Sequence, residues 1–238
     1  MKTKLIFIFL LVVSTLTSVQ NLHAQFIKGD GNVTRKSRDI SGIQKVEIED
    51  GIDLYISQGS TEKLEIEADE NLHPFIKTEI ENGTLKIYLS KSVWKSKTLN
   101  AYLTIKNIDG LSASGGSDVE SSTTLKIEEL SVICSGGSDA NLEIESSKLR
   151  FKASGGSDGK LSGKTKVFLG KASGGSDIKA YDLISGDCFI EVDGGSDAEV
   201  TVNGNLNASG SGGSDVKYKG NPTAIQSEMS GGSELSKY

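Results

Sequence analysis

Proline, cysteine, histidine and tryptophan are scarce in this sequence of 238 residues, which contains 2, 2, 2 and 1 of them. So little proline excludes collagen-like chains and proline-rich linkers. Basic residues are also in the minority, since 26 lysines and arginines stand against 32 aspartates and glutamates, and the pI is near 5.1. Nucleic acid is therefore not an expected partner, because a protein that binds it needs a basic surface to displace counterions from phosphates.

The two histidines leave little basis for the common forms of catalysis. His23 belongs to a segment that we expect to be removed, and His73 precedes a proline in a turn-like stretch. A Ser-His-Asp triad or a histidine zinc site would depend on that one residue. We therefore expect a non-enzymatic protein with no catalytic residue and no bound cofactor. The alternative is a polysaccharide lyase or glycosidase that uses a pair of carboxylates, although aromatic residues, the usual platforms of sugar clefts, make up only 6%.

The first 24 residues have the pattern of a secretory signal peptide. Lys2 and Lys4 precede an unbroken apolar run at 5–13, and a polar stretch then ends in a small residue, Ala24. A run of this length is too short to cross a hydrocarbon core of about 30 Å. We therefore predict an exported protein of the periplasm or the cell surface, with no transmembrane segment in its mature chain. No cysteine lies near the cut, so a lipoprotein is not expected.

Glycine is abundant, at 28 residues, and much of it lies in a repeated tetrapeptide, Gly-Gly-Ser-Asp. The copies lie at 115–118, 136–139, 155–158, 174–177, 194–197 and 212–215, and a seventh, at 231–234, has Glu in place of Asp. Successive copies are 18 to 21 residues apart. This period, without a helical pattern inside it, favours one rung of a parallel β-helix per copy.

Aligned on the glycines, the copies share an alternation of apolar and charged positions. Two residues before the pair, the side chain is small and apolar in most copies, as in Ala113, Cys134 and Ala153. After the acid, an apolar residue such as Val119 is followed by a polar or charged one such as Glu120 in most copies. A period of two places strands on both sides of each corner. We predict an all-β fold, a right-handed, single-stranded parallel β-helix with about 19–20 residues per rung.

The chain divides into a signal peptide at 1–24, an N-terminal β region at 25–110 and a β-helix of seven rungs at 111–238. The N-terminal region lacks the tetrapeptide but has alternating stretches and a hairpin turn signal at Asn82-Gly83. We expect it to cap the stack or form its irregular first turns, because an open solenoid end exposes unpaired edges. The C-terminal end has no comparable segment, so we expect a homo-oligomer contact there.

The two cysteines provide a test of the rung assignment. Cys134 belongs to the second copy and Cys188 to the fifth, so they lie about 14 Å apart along the axis. A disulfide needs Cα atoms within about 7 Å. Export would permit a disulfide, yet we predict two unpaired, buried thiols.

The repeated corner has a structural and a functional interpretation. Paired glycines permit positive φ, and Ser and Asp side chains accept hydrogen bonds from backbone N–H groups in turns. The glycines of these turns are Gly115, Gly116, Gly136, Gly137, Gly155, Gly156, Gly174, Gly175, Gly194, Gly195, Gly212, Gly213, Gly231 and Gly232. The alternative is a ladder of Ca²⁺ ions, which would offset repulsion between stacked carboxylates. Its ligands would be Asp118, Asp139, Asp158, Asp177, Asp197, Asp215 and Glu234.

One segment outside the repeat is a candidate surface contact. The single tryptophan, Trp94, lies beside Lys95 and Lys97 in an otherwise acidic protein. A basic and aromatic segment of this kind is typical of a binding surface. The alternative is a connecting loop whose tryptophan packs on the cap.

The run 52–59, the segments 67–72 and 83–87, and the serial Ser-Gly-Gly-Ser-Asp corners that follow resemble the putative auto-transporter adhesin, head GIN domain family. The resemblance covers residues 39 to 220. It implies a β-solenoid exported by Bacteroidetes-type bacteria, with an adhesive role at the surface. The sequence thus favours a binding module whose partner is a glycan or an envelope or host protein. The alternatives are the carboxylate-pair enzyme and a periplasmic scaffold or sensor.

Overall fold

The computed structural model describes residues 26–238, which form strands and one short 3₁₀ turn at Glu70–Leu72. The segment predicted to be a signal peptide lies outside the described residues. The strands of the N-terminal region are β1 (Ile27–Lys28), β2 (Val33–Arg38), β3 (Lys45–Ile48), β4 (Asp53–Gln58), β5 (Lys63–Asp69), β6 (Ile76–Glu81), β7 (Thr84–Leu89), β8 (Val93–Lys95) and β9 (Leu99–Ile105). Those of the repeat are β10 (Gly110–Ser114), β11 (Val119–Ser121), β12 (Leu125–Lys126), β13 (Glu129–Ser135), β14 (Ala140–Ser154), β15 (Gly159–Ser173), β16 (Ile178–Asp193), β17 (Ala198–Val202), β18 (Asn205–Ser211), β19 (Asp215–Gly220), β20 (Ala224–Met229) and β21 (Glu234–Lys237).

Each repeat lies directly on the next in a parallel stack, so the predicted β-solenoid is confirmed. Before the corners, Ala113 pairs with Cys134, Cys134 with Ala153, and Ala153 with Ala172. After the corners, Val119 pairs with Ala140 in the same way. The columns that alignment on the glycines predicts are therefore the columns that hydrogen-bonded strands form.

The interior of the stack is filled by apolar side chains from these columns, with small and large residues complementing one another. Phe151 and Phe168 are among the largest fully buried side chains. Glycine provides the room they need: a Cβ added at Gly159 would lie 2.2 Å from the Phe151 ring, and one at Gly170 would lie 3.1 Å from that of Phe168. Dense packing of this kind tolerates no added atoms without a shift of the neighbours.

The N-terminal region continues the stack and then closes it. Strands β3 and β4 pair in parallel with β10 and β11, and β7 and β9 pair in parallel with β3 and β4. Antiparallel pairing then takes over, in the β6–β7 hairpin and in the series β2–β5–β9. The predicted turn at Asn82-Gly83 joins β6 to β7 with positive φ at both residues, 50° and 78°. This hairpin prediction is therefore confirmed.

Both cysteines are buried and unpaired, as the rung assignment requires. Cys134 lies in the column of small residues before the corner, whereas Cys188 pairs with Phe168 and Leu206 in another column. Burial raises the pKa of each thiol to about 12, with a smaller contribution at Cys134 from the charges of Asp139 and Asp118. Both thiols are therefore protonated and unreactive at neutral pH.

The C-terminal end of the described chain is less enclosed. Strand β20 pairs with β18, and β21 pairs with β19, with no further strand of the described residues beyond them. An aromatic contact holds the final residue, because the Nζ of Lys219 lies 4.0 Å from the ring centroid of Tyr181 and 4.3 Å from that of Tyr238.

Candidate functional site: the corner ladders and the surfaces beside them

The glycine corners stack backbone on backbone. Both glycines of each corner have positive φ, for example 70° at Gly174 and 73° at Gly175. A Cβ added at Gly174 would also lie 3.4 Å from the backbone nitrogen of Gly155 in the preceding rung. Glycine at the first position therefore satisfies two requirements, the left-handed conformation and the close approach of the preceding corner.

The serine of each corner points into the interior and forms one ladder. Its hydroxyl oxygen accepts the backbone N–H of the preceding rung's serine at 3.0–3.2 Å, as Ser138 does for Ser117 and Ser157 for Ser138. The fully buried members are Ser117, Ser138, Ser157, Ser176, Ser196 and Ser214. A buried N–H group without a partner is costly, so each hydroxyl satisfies a donor that the turn leaves free.

The aspartates form a second ladder on the outer surface, and it runs in the opposite direction. One carboxylate oxygen of each aspartate accepts the backbone N–H of the next aspartate, at 2.8–3.2 Å from Asp53 to Asp215. Lys179 lies near two of these carboxylates, 2.9 Å from Asp158 and 3.8 Å from Asp177. This geometry supports the turn-capping interpretation. Among residues 26–238 no group of three or more His, Cys, Asp or Glu side chains is arranged to hold a metal. The calcium ladder stays a prediction, to be tested with chelators.

Sequence reasoning missed the first corner of the stack. Asp50 and Gly51 have positive φ, 64° and 72°, and lie against Gly115 and Gly116 of the next corner. Ile52 takes the serine position and donates its N–H to the Ser117 hydroxyl at 3.1 Å, and Asp53 begins the aspartate ladder. The signal was present: Asp-Gly, a residue pair that favours positive φ, stands between two alternating stretches.

Two stacked tyrosines lie beside the start of the aspartate ladder. The rings of Tyr55 and Tyr102 are 5.1 Å apart and nearly parallel, at 15°. The guanidinium of Arg35 lies 4.0 Å above Tyr102 and also donates to Glu67, which accepts a further hydrogen bond from the Tyr102 hydroxyl. This stack could not be predicted from sequence, because the two tyrosines are far apart in the chain and meet only through the pairing of β4 with β9.

A groove of about 410 Å³ continues from the tyrosine stack along the same face. We call it the ladder groove; its lining includes Tyr55, Asp118, Glu120, Asn141 and Lys160. Asp53 lies at its edge, and its pKa is raised above the ordinary value. The main cause is burial, which the N–H of Asp118 partly offsets and the charge of Asp118 reinforces.

A second groove, of about 450 Å³, crosses the strands that precede the corners. Its apolar surface comes from Ile133, Leu169 and Phe189, of which Ile133 is 42% and Phe189 46% exposed. Cationic side chains border it, among them Arg150 and Lys152. We call it the apolar groove.

The segment predicted as a surface contact is exposed, as that prediction requires. Trp94 is 63% exposed, so it does not pack on the cap, and Lys95 and Lys97 are exposed as well. Strand β8 pairs with β1, which brings Phe26, 61% exposed, and Lys28 to the same part of the surface. We call these five residues the aromatic–lysine patch. The patch, the ladder groove and the apolar groove are separate surfaces.

The family to which these features point is described as "Putative auto-transporter adhesin, head GIN domain", and its model matches residues 43–222. The chain belongs to this family. The match spans the start of the stack and most of the glycine corners. No curated protein matches the sequence.

Solved structures of three other proteins share the fold of this family member. A putative adhesin from Bacteroides fragilis NCTC 9343 has 21% identity and a TM-score of 0.85, with 89% of this chain and 100% of that one covered. A putative adhesin from Parabacteroides merdae ATCC 43184 has 20% identity and a TM-score of 0.72, with 90% and 99% covered. A putative lipid binding protein from Parabacteroides distasonis ATCC 8503 has 20% identity and a TM-score of 0.72, with 90% and 100% covered. Within residues 26–238, no helix is both long and apolar enough to span a membrane.

Proposed function

We propose that this protein is an exported, non-enzymatic binding module of the bacterial cell envelope, in the periplasm or on the cell surface. Membership of an adhesin-type family and the secretory pattern of the first 24 residues support this location. The partner that we propose is a glycan or a protein of the envelope or of a host. A periplasmic scaffold or sensor would use the same surfaces on a partner inside the cell.

The observation that carries this proposal is the apolar groove. Phe189 and Leu169 are paired neighbours on β16 and β15, and they face solvent on a sheet whose outward positions are otherwise largely polar. Lys152 borders the groove and forms no ion pair within the described residues. Apolar floors with a few polar groups at the rim are typical of binding sites, and exposed apolar clusters mark interaction surfaces.

The first experiment locates the protein. Intact cells would be treated with a protease, with a periplasmic protein as control, and the exported chain would be detected afterwards. Digestion while the control survives supports an adhesive surface role. Survival of both places the protein's partner in the periplasm and removes the adhesin interpretation.

The second experiment tests the groove itself. The purified protein would be applied to immobilised pectins, mucin glycans and envelope proteins, and Phe189→Ser compared with Ile184→Ser. Ile184 is 53% exposed but lies outside the groove, so its replacement makes the same chemical change elsewhere. We expect only Phe189→Ser to reduce binding, by about tenfold or more for the loss of a buried aromatic contact. Equal binding by both variants would contradict the proposal.

The enzymatic alternative has one observation in its favour, the neighbouring carboxylates of Asp53 and Asp118 beside Tyr55 in the ladder groove. A raised pKa on one of two carboxylates is typical of glycosidases. Release of reducing ends from the same glycans, abolished by Asp53→Asn but not by the matched ladder variant Asp197→Asn, would establish this activity. We expect no release from the unmodified protein.

A further inference from the structure

The aromatic–lysine patch combines exposed aromatic rings with unpaired cations. Trp94 and Phe26 are 63% and 61% exposed. Lys28, Lys95 and Lys97 take part in none of the ion pairs within residues 26–238. These three lysines outnumber the two carboxylates beside them, Asp30 and Asp69, in a chain of net charge −6. It is separate from both grooves, so its role goes beyond the function proposed above.

The two carboxylates beside the patch, Asp30 and Asp69, accept backbone N–H groups and form no ion pair with its lysines. Asp69 is fully buried and accepts N–H groups from Gly31 and from Lys97. The exposed Asp30 accepts the N–H of Asn32 at 3.0 Å. Burial alone would raise the pKa of Asp69, but these backbone donors lower it below the ordinary value. Asp69 therefore binds backbone N–H groups rather than the lysine ammonium groups, which remain available to a partner.

The patch is also held in place before any partner arrives. The backbone N–H of Ile27 donates to the carbonyl oxygen of Ser92 at 2.9 Å, and that of Gly29 donates to the carbonyl oxygen of Lys95 at 2.8 Å. The Asn71 side chain adds a further link, since it donates to the Lys28 carbonyl at 2.8 Å. Lys28, Trp94 and Lys95 thus belong to a two-stranded sheet, and Phe26 and Lys97 lie within two residues of its strands. This order lowers the entropy cost of docking.

We propose that this patch docks on the headgroup layer of a membrane that contains anionic lipids. Lysine ammonium groups are attracted to anionic headgroups, and tryptophan and phenylalanine insert at the boundary with the acyl chains. A soluble polyanion would use the lysines, but it would leave the two exposed rings without an apolar partner.

The position of the patch in the chain supports the same occupant. Phe26 follows directly on the first 25 residues, which contain the apolar run 5–13. While this segment is still attached to the chain, Phe26 and Lys28 lie next to the membrane that it enters. Docking would then orient the stack with its N-terminal end toward the lipid.

Trp94 makes the test direct, because it is the only tryptophan of the chain. The protein would be purified in the form that cells export, with its first residue determined by mass spectrometry. Its fluorescence would be recorded with vesicles of phosphatidylethanolamine and phosphatidylglycerol, with neutral phosphatidylcholine vesicles, and with soluble heparin. We expect a blue shift with the anionic vesicles alone, reversed by about 0.5 M salt. No shift with anionic vesicles would overturn the proposal, and an equal shift with heparin would assign the patch to a polyanion instead.

Co-sedimentation with the anionic vesicles tests the residues. Replacing Lys95 and Lys97 by alanine should weaken partitioning about 30-fold, at roughly fivefold for each lysine. The control replaces Lys164 and Lys166, two exposed lysines of β15, with the same change in charge. A second variant, Phe26→Ser, removes apolar contact without changing charge and should also weaken partitioning. Equal loss in the control would show attraction to net charge rather than to the patch. Phe189→Ser should leave vesicle binding unchanged, so failure here is distinguishable from failure of the groove proposal.

Discussion

The two ends of the stack differ in how their last strands are completed. At the N-terminal end, the parallel coils meet antiparallel strands, and β2, β5 and β6 cover positions where another rung would pair. At the other end, β20 has a neighbour on one side only within the described chain, and Ile225 is 45% exposed. A solenoid gains stability from contacts between neighbouring rungs, so a rung with one neighbour has about half the interface of an internal rung. We therefore expect local opening to begin at the C-terminal end.

The largest loss of stability should come from a glycine substitution in a corner at the middle of the stack, compared with the equivalent substitution in the last corner. Gly174→Val places a β-branched residue at φ 70° with its Cβ 3.4 Å from the backbone nitrogen of Gly155 in the preceding rung, and should cost about 3 kcal/mol of unfolding free energy. Gly231→Val makes the same change in the last corner, at φ 64°. We expect a lower melting temperature for the first and only local fraying for the second, as measured by thermal melting and hydrogen exchange. Equal losses of melting temperature would show that the last rung contributes as much to global stability as a rung in the middle.

A smaller loss of stability should follow when hydrogen bonds of the capped N-terminal end are removed. Asp69→Asn removes the charge that accepts the N–H groups of Gly31 and Lys97 and should cost about 2 kcal/mol. Because the folded pKa of Asp69 is lowered, its contribution is complete above the unfolded pKa, near 3.9, and is lost as the pH falls through the folded pKa. The variant and the parent should therefore differ in denaturant midpoint at pH 7, and the difference should shrink as the pH falls through the lowered folded pKa of Asp69. A constant difference at all pH values would assign the loss to packing instead.

The aromatic contact at the open end should matter less. Lys219→Ala removes the cation between Tyr181 and Tyr238 and should cost about 0.5–1 kcal/mol. Hydrogen exchange should quicken in β21 and β19 while the strands at the capped end keep their protection. The predicted self-association through this end can be followed in the same samples by sedimentation velocity, with Ile225→Lys as the variant that should abolish it. A monomer at all concentrations would remove that prediction.

Metal removal should have the smallest effect of all. One oxygen of each ladder carboxylate from Asp53 to Asp197 already accepts a backbone N–H, so turn capping there needs no cation. We expect the same melting temperature in EDTA and in millimolar Ca²⁺. A clear rise with Ca²⁺ would favour the calcium ladder and identify the aspartates as ligands.

The comparison of the two regions also explains what could be predicted from sequence. Where the tetrapeptide recurs, its spacing fixes which residues stack, so the inward columns and the two unpaired cysteines followed directly. The corner at Asp50-Gly51 was not predicted, because Ile52 takes the place of serine and Asp50 that of the first glycine. Its backbone nevertheless has the same two positive φ angles as the other corners.

The surfaces could be predicted less well than the interior. Ile133, Leu169 and Phe189 belong to different rungs, and nothing in their local sequence indicates that they share a groove. Tyr55 and Tyr102 are likewise brought together by tertiary pairing in the irregular region. A low overall content of aromatic residues therefore does not exclude a local aromatic platform. Trp94 was accessible to prediction because its lysine neighbours are adjacent in sequence.

The repeated corner also makes the length of this protein an adjustable quantity. Each rung contacts its neighbours through the same glycine, serine and aspartate positions, so an inserted copy would meet matching contacts on both sides. One extra rung between the corners at 115–118 and 136–139 would lengthen the stack by about 4.8 Å. The aromatic–lysine patch would then lie one step further from the apolar groove, with both surfaces unchanged. Gene duplication could in this way set the distance between the two proposed binding surfaces in steps of a single strand.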